Sequence, residues 1–377
     1  MTEPAYLDYN ATTPIAPEVV DAMLPYLREH YGNPSSGHLY GKRAAEGILR
    51  ARGEVADLIG ADADEILFTG CATEANNLAI RGVARALRDK GRHVITSAVE
   101  HPSVTMPFKR LEEEGWAVTE LPVDEFGQVR PADLQQALRP DTTLVSVMHA
   151  NNEVGTIQPV TELARIAHAH GALFHTDAAQ SAGKISVVVD DLGVDLLTLA
   201  GHKFYAPKGV GALYVRSGTP ILPLLAGAGH ERGLRPGTEN TPHIIAIGAA
   251  ARLSREGLQR HAVHLIRLRD RLHRRLAEVI PELVLNGHPE ARLPNTLNVS
   301  FPKVSGAALL EAAAADVAAS TGSACHTEGD TPSGVLGAMG ATAAQARGAV
   351  RLSIGIMTSE DDVDRAAAGL VTACSNV

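Results

Sequence analysis

Cysteine is scarce: the 377 residues contain three, Cys71, Cys325 and Cys374, widely separated and with no CxxC pair. That count and spacing exclude a disulfide framework and a clustered zinc site, and they point to a reducing cytosol. Long apolar runs are also missing; none approaches the roughly 20 residues that span a bilayer, and MTEPAYLDYN lacks the basic and apolar regions of a secretory leader. A cytoplasmic chain without a membrane partner is therefore expected. No long run of one charge sign occurs, and 34 Lys+Arg against 43 Asp+Glu give a net charge of -9, which disfavours direct nucleic-acid binding. Lysine is rare too, seven of the 34 basic residues, so each lysine set among polar groups merits inspection.

What is present is ample core material. Hydrophobic residues make up 45% of the chain and charged residues 20%, the balance of a folded domain with a solvated surface. At roughly 100 to 200 residues per domain, the length suggests a large domain and a smaller one. From about residue 60 to 216, short runs rich in Val, Ile and Leu alternate with segments of helical period, the pattern of βαβ units around a mostly parallel sheet. Expected strands are Glu65–Thr69, His93–Ser97, Thr143–Met148, Leu173–Thr176, Asp195–Leu199 and Gly211–Val215. Helices are expected at Thr73–Arg88, Pro102–Glu114, Pro131–Leu138 and Val160–His170.

After the Pro- and Gly-containing stretch 220–242, Leu265, Leu268, Leu272, Leu276 and Val279 recur at three- and four-residue steps and predict a long helix with one buried stripe. Beyond Pro281, strand signals at Leu283–Leu285, Thr296–Phe301 and Val350–Ile354 and Ala-rich helical segments mark a smaller α+β domain; Ala307–Ala319 reads most simply as a helix. The expected division is an N-terminal arm (1–15) and a large domain (about 16–255), then a small domain (about 256–377).

In an open α/β sheet, ligands bind beyond the carboxyl ends of the strands. Five such ends carry polar residues: Gly70-Cys71-Ala72-Thr73-Glu74, Glu100-His101-Pro102, Asn151-Asn152-Glu153, Asp177-Ala178-Ala179-Gln180 and Ala200-Gly201-His202-Lys203. Each has an ordinary reading: a helix N-cap by Thr73, a packed histidine, an Asn turn, an Asp cap, a solvated lysine. Their coincidence at neighbouring strand ends favours a shared site, and the set matches what pyridoxal 5'-phosphate requires. Lys203 can form a Schiff base with the aldehyde, Asp177 can pair with the protonated pyridine nitrogen, His101 can stack on the ring, and the small-residue turn into a helix suits the phosphate. Lys208, in a Pro-x-Gly turn, is the weaker lysine candidate.

In the C-terminal part, Cys325 lies among small and polar residues, Ser320 to Asp330, which favours an accessible thiolate nucleophile over a buried packing cysteine. Arg351, a charge within a strand pattern, reads either as an edge-strand surface residue or as a fork for a carboxylate.

These residues together resemble the pyridoxal-phosphate-dependent cysteine desulfurases of the NifS and IscS type. The resemblance runs from Tyr6-Leu7-Asp8-Tyr9-Asn10-Ala11-Thr12-Thr13-Pro14 to just past Arg351. On the way it takes in Gly32-Asn33-Pro34-Ser35-Ser36, Asn151-Asn152-Glu153-Val154-Gly155, Gly201-His202-Lys203 and Arg235-Pro236-Gly237-Thr238. It implies a fold-type I architecture in which Lys203 carries the cofactor, Asp177 meets the pyridine nitrogen, His101 stacks, and Gln180 approaches the phenolic oxygen. Ala72, Thr73 and His202 would bind the phosphate, and Thr238 would reach the phosphate of the partner in a homodimer. Asn152 and Arg351 would hold the carboxylate of L-cysteine, and Cys325 would attack its sulfur, leaving alanine and a persulfide for an acceptor protein. Four positions depart from the family: Ala200 where Ser or Thr is usual, Cys71 for Gly, Pro236 for Ser, and Ile356 for Arg. Selenocysteine lysis and C–S lysis are the alternative activities on the same fold; a sulfur-relay subunit with vestigial catalysis is the non-enzymatic one.

Overall fold

A computed structural model of the chain describes residues 3–321 and 333–376. In chain order the elements are β1 (Ala5–Tyr6), α1 (Pro17–Arg28), α2 (Leu39–Ile59), β2 (Ile66–Thr69), α3 (Ala72–Ala86), β3 (His93–Ser97), α4 (Pro102–Glu113), β4 (Ala117–Leu121), α5 (Pro131–Ala137), β5 (Thr142–Ser146), α6 (Val160–Ala169), β6 (Leu173–Asp177), α7 (Val189–Leu192), β7 (Leu196–Ala200) and β8 (Gly211–Val215). The C-terminal part adds α8 (Thr241–Val279), β9 (Val284–Asn286), β10 (Thr296–Ser300), α9 (Gly306–Ala312), β11 (Val317–Ala318), α10 (Gly334–Ala338), α11 (Ala343–Arg347), β12 (Ala349–Ser353) and α12 (Glu360–Asn376).

Seven strands form one sheet in the order β2-β8-β7-β6-β5-β3-β4. Its members from β7 to β4 run parallel, whereas β8 is antiparallel to both neighbours. Helices cover both faces, so the central strands are buried along their whole length. One apolar cluster joins Phe68, Val145, Phe174 and Leu197 to the start of α8 (Ile244 to Ala251); a second lies on the opposite face around Leu67, Leu144 and Leu213. A three-stranded antiparallel sheet, β12-β10-β9, packs with the later part of α8 and with α12 around a separate core. Ala5 and Leu7 of the N-terminal arm belong to that core, because β1 pairs in parallel with β11.

The expected strands form to within a residue or two, and other features differ from expectation. Pro17–Arg28 and Leu39–Ile59 form α1 and α2, which the apolar pattern does not predict, and neither does it predict the edge strand β4, in which only Leu121 is buried and Glu120 is exposed. The Ala-dense stretch is not one helix: α9 stops at Ala312 and the chain turns into β11, since the pairing with β1 outweighs the helical preference of the alanines. Val279 is 59% exposed and does not belong to the stripe of Leu265, Leu268, Leu272 and Leu276, which is buried. Among the described residues, no helix is long and apolar enough to cross a membrane.

Candidate active site

The carboxyl ends of β2, β3, β5, β6 and β7 point their following residues to one edge of the sheet, and the N-terminal arm crosses that edge. Lys203 closes a short 3-10 turn, Gly201–Lys203, after β7. Its Nζ donates to the carbonyls of Asn10 (2.6 Å) and Ala11 (2.8 Å). Lys208 is exposed, which leaves Lys203 the better placed of the two.

Asp177 ends β6 and is buried. One oxygen accepts from the Ala179 backbone N–H (2.9 Å) and the other from Asn76 Nδ2 (2.7 Å). Asn76 also donates to Ser103 Oγ (2.9 Å), which lies 2.8 Å from His101 Nδ1. A polar chain therefore connects the carboxylate to the ring expected to stack. His101 caps α4, and the Ser103 backbone N–H donates to Nδ1, so that nitrogen serves as an acceptor. Burial and then the nearby Lys203 charge hold the imidazole below its usual pKa, partly offset by Asp177. His202 is pushed down to about 4, chiefly by burial and then by Lys203 and Lys208; its Nδ1 contacts Thr12 Oγ1 at 3.2 Å.

Ala72 and Thr73 open α3. The N-cap is Cys71 rather than Thr73, and its side chain makes no capping bond, so the first N–H groups of a 15-residue helix remain available to an anion. The backbone of β8 closes against this turn: a Cβ on Gly211 would lie 2.7 Å from the Cys71 carbonyl carbon and 2.9 Å from the Ala72 nitrogen. Glu74 accepts from the Gly70 N–H (2.6 Å) and pairs with Arg235 (2.8 Å), tying the Arg235–Thr238 segment to the turn. Thr238 lines a cavity of about 120 Å³ with Thr69, Gly70 and Gly209. The residues fit pyridoxal phosphate: a cradle of free N–H donors for the phosphate, a buried acceptor for the pyridine nitrogen, a neutral flat ring and a primary amine stand at one sheet edge.

Arg351, in β12, is not a surface residue; its side chain is 3% exposed. Nη2 donates to Asp8 Oδ1 (2.7 Å) and Nη1 to the Asn152 carbonyl (3.2 Å). The structure thus brings together the two expected carboxylate ligands, with Asp8 in contact with the fork. Asn152 itself sits in a loop shaped by Asn151, whose Oδ1 accepts from the N–H groups of Glu153 and Val154 (2.8 and 2.9 Å). Cys325 lies outside the described residues. The chain preceding residue 322 is held at Ser320, which bridges to Arg351, and the chain resuming at Ser333 is held by its hydroxyl, which donates to Glu153.

Sequence reasoning missed Asn10 and Asn76. Asn10, 1% exposed, donates from Nδ2 to Thr296 Oγ1 (2.9 Å) and the Asn152 carbonyl (3.1 Å) and accepts from Asn295 (2.9 Å). Its carbonyl takes Gln180 Nε2 (2.9 Å) as well as Lys203. Asn76 falls on a helix face that reads as ordinary packing; a polar residue fully buried amid Ala75, Leu78 and Ala79 was the available signal.

Comparisons with known proteins identify the family. Residues 5–366 match the family model described as aminotransferase class-V. A cysteine desulfurase IscS of Dictyoglomus turgidum is 48% identical over 365 residues, 97% of this chain and 93% of the relative. Among solved structures, a NifS-like protein superposes with a TM-score of 0.93 at 38% identity, covering 99% of this chain and 100% of that one. The structure titled SspA in complex with cysteine matches with a TM-score of 0.83 at 37% identity, covering 93% and 99%. With its donor cradle, buried carboxylate and strand-end lysine arranged as pyridoxal phosphate requires, the chain belongs to the class-V aminotransferase family, among its cysteine desulfurases.

Proposed function

We propose that this protein converts L-cysteine to L-alanine and passes the sulfur, as a persulfide on Cys325, to an acceptor protein. The observation that carries the reading is the meeting of a strand-end lysine, Lys203, and a buried arginine fork, Arg351, across the carbonyls of Asn10 and Asn152.

Pyridoxal phosphate, when bound, supplies an electron sink that makes the substrate Cα proton removable. Lys203 would hold the cofactor and, once exchanged for the substrate amine, carry the Cα proton. Asp177, oriented by Asn76 and the Ala179 N–H, would keep the pyridine nitrogen protonated. The neutral His101 ring would cover one face of the cofactor without adding charge. The α3 N-terminus and His202 would hold the phosphate, and Arg351 with Asn152 would fix the substrate carboxylate, the former by exchanging its Asp8 contact.

The Cys325 thiolate would form a bond to the substrate Sγ while the Cβ–Sγ bond breaks. The electron pair stays on Cβ, which takes a proton to become the alanine methyl group, and the enzyme retains the second sulfur. Cys325 is five residues from Ser320, which pairs with Arg351, so chain length alone keeps the two within roughly 17 Å of each other. A homodimer, with Thr238 completing the phosphate site of the partner, fits the same reading.

The test is product analysis with L-cysteine. Stoichiometric alanine and a trappable persulfide on Cys325, lost in Cys325→Ala while cofactor loading persists, are the expected results. Pyruvate and ammonia in place of alanine would assign C–S lysis, and preference for selenocysteine would assign the lyase; either outcome sinks the proposal.

A further inference from the structure

Lys184 is a second lysine at this site. It follows Gln180 by four residues in the turn after β6 and is 6% exposed. The turn needs Gly183 at φ +75, where a Cβ would come within 2.8 Å of Ser254 Oγ, and the bond from the Lys184 N–H to the Ser181 carbonyl (3.0 Å) keeps the side chain folded inward. Lys184 Nζ donates to the Gln180 carbonyl (2.9 Å) and to Gln180 Oε1 (3.3 Å). No carboxylate among the described residues forms an ion pair with it. Burying an ammonium without one is costly, which makes its hydrogen bonds the reason to look for a role.

An ammonium has donors only. The oxygen of the Gln180 amide must therefore face Lys184, and its NH2 must face the other way, where Nε2 donates to the Asn10 carbonyl that Lys203 also contacts. A flipped amide would set donor against donor at Lys184 and acceptor against acceptor at Asn10. We infer that Lys184 is a positioning residue that locks the Gln180 amide so that an N–H is presented to the phenolic oxygen of the cofactor on Lys203. This rests on the reading given under Proposed function.

In its ammonium form Lys184 acts in the same direction through its charge. Burial, then the field of Lys203, lowers its own pKa to about 7. His101 and His202 lie in the field of Lys203, Asp177 acts on His101, and burial keeps both histidines low. An N–H on the phenolic oxygen and a nearby cation both favour the deprotonated form of the Lys203-linked chromophore.

Titrating the absorbance of that chromophore in the loaded protein tests the assignment. Lys184→Met should raise its apparent pKa by about one unit, and the rise should shrink by at least half in a Gln180→Ala background. An unchanged pKa, or the same rise with and without Gln180, would overturn the positioning role. If Lys184→Met does not fold, Lys184→Gln serves: its amide can accept as well as donate, which leaves the Asn10 carbonyl alone to orient Gln180, so the pKa should rise, and a wild-type value overturns the inference. Wild-type protein that loads no cofactor on Lys203 would overturn the functional reading and this assignment together; normal loading with an unmoved pKa overturns this assignment alone.

Discussion

The two sides of the site are built differently. On the proposed cofactor side, Asp177 ends a strand of the large sheet, His101 and Lys203 each follow one, and the supporting groups, Asn76 and Ser103, belong to helices packed on that sheet. On the substrate side, Arg351 comes from the C-terminal sheet, Asn152 from a loop of the large sheet, and Asp8 and Asn10 from the N-terminal arm. The first side is anchored mainly in one sheet, with the arm reaching it through the carbonyls of Asn10 and Ala11. The second exists only while three separate chain segments remain in register, so substrate binding is the property most exposed to rearrangement.

The contrast gives a split in kinetic behaviour. Arg351→Ala removes a charge-assisted fork worth about 2–3 kcal/mol; KM for cysteine should rise by about a hundredfold while cofactor affinity, measured by dialysis and absorbance, stays near wild type. Loss of cofactor in that variant would break the separation of the two sides. Asn76→Ala should do the reverse. It deprives Asp177 of a buried donor, about 1–2 kcal/mol, and should release cofactor about tenfold more readily with little change in KM.

The smallest effect concerns stability. Glu100 is buried beside His101, its Oε1 accepting from Ser97 Oγ (2.7 Å) and the Met148 N–H (2.8 Å), while Oε2 has no partner among the described residues. Burial, only partly opposed by those bonds, raises its pKa to about 8. The folded state therefore holds a proton that the unfolded chain releases near its ordinary value, and this group's contribution to stability declines as pH rises from about 4.5 to about 8. Glu100→Gln keeps the acceptor and removes the titration, so the fall in melting temperature over that range should flatten. An equally steep fall in the variant would place the titrating group elsewhere.

The legible parts of the fold were those with a local signature. Strands buried on both faces show as short apolar runs, and α4 begins at Pro102 behind a histidine cap, so their positions could be read within a residue or two. Where a partner segment decides, pattern fails: β11 lies in an Ala-dense stretch that favours helix by itself, and only β1, over 300 residues earlier in the chain, makes it a strand.

The same line divides the site. Residue types and order alone were enough to specify the chemistry, because a strand end fixes where its next residue points and because a lysine, an aspartate and a free helix N-terminus have few joint uses. Which groups support them was not written in any one segment. The orientation of Gln180 by Lys184, the carbonyl of Asn10 shared between Gln180 and Lys203, and the fork of Arg351 on Asp8 depend on long-range contacts. Hydrogen-bond direction and desolvation are properties of neighbours in space, and those neighbours come into being only when the arm closes over the sheet.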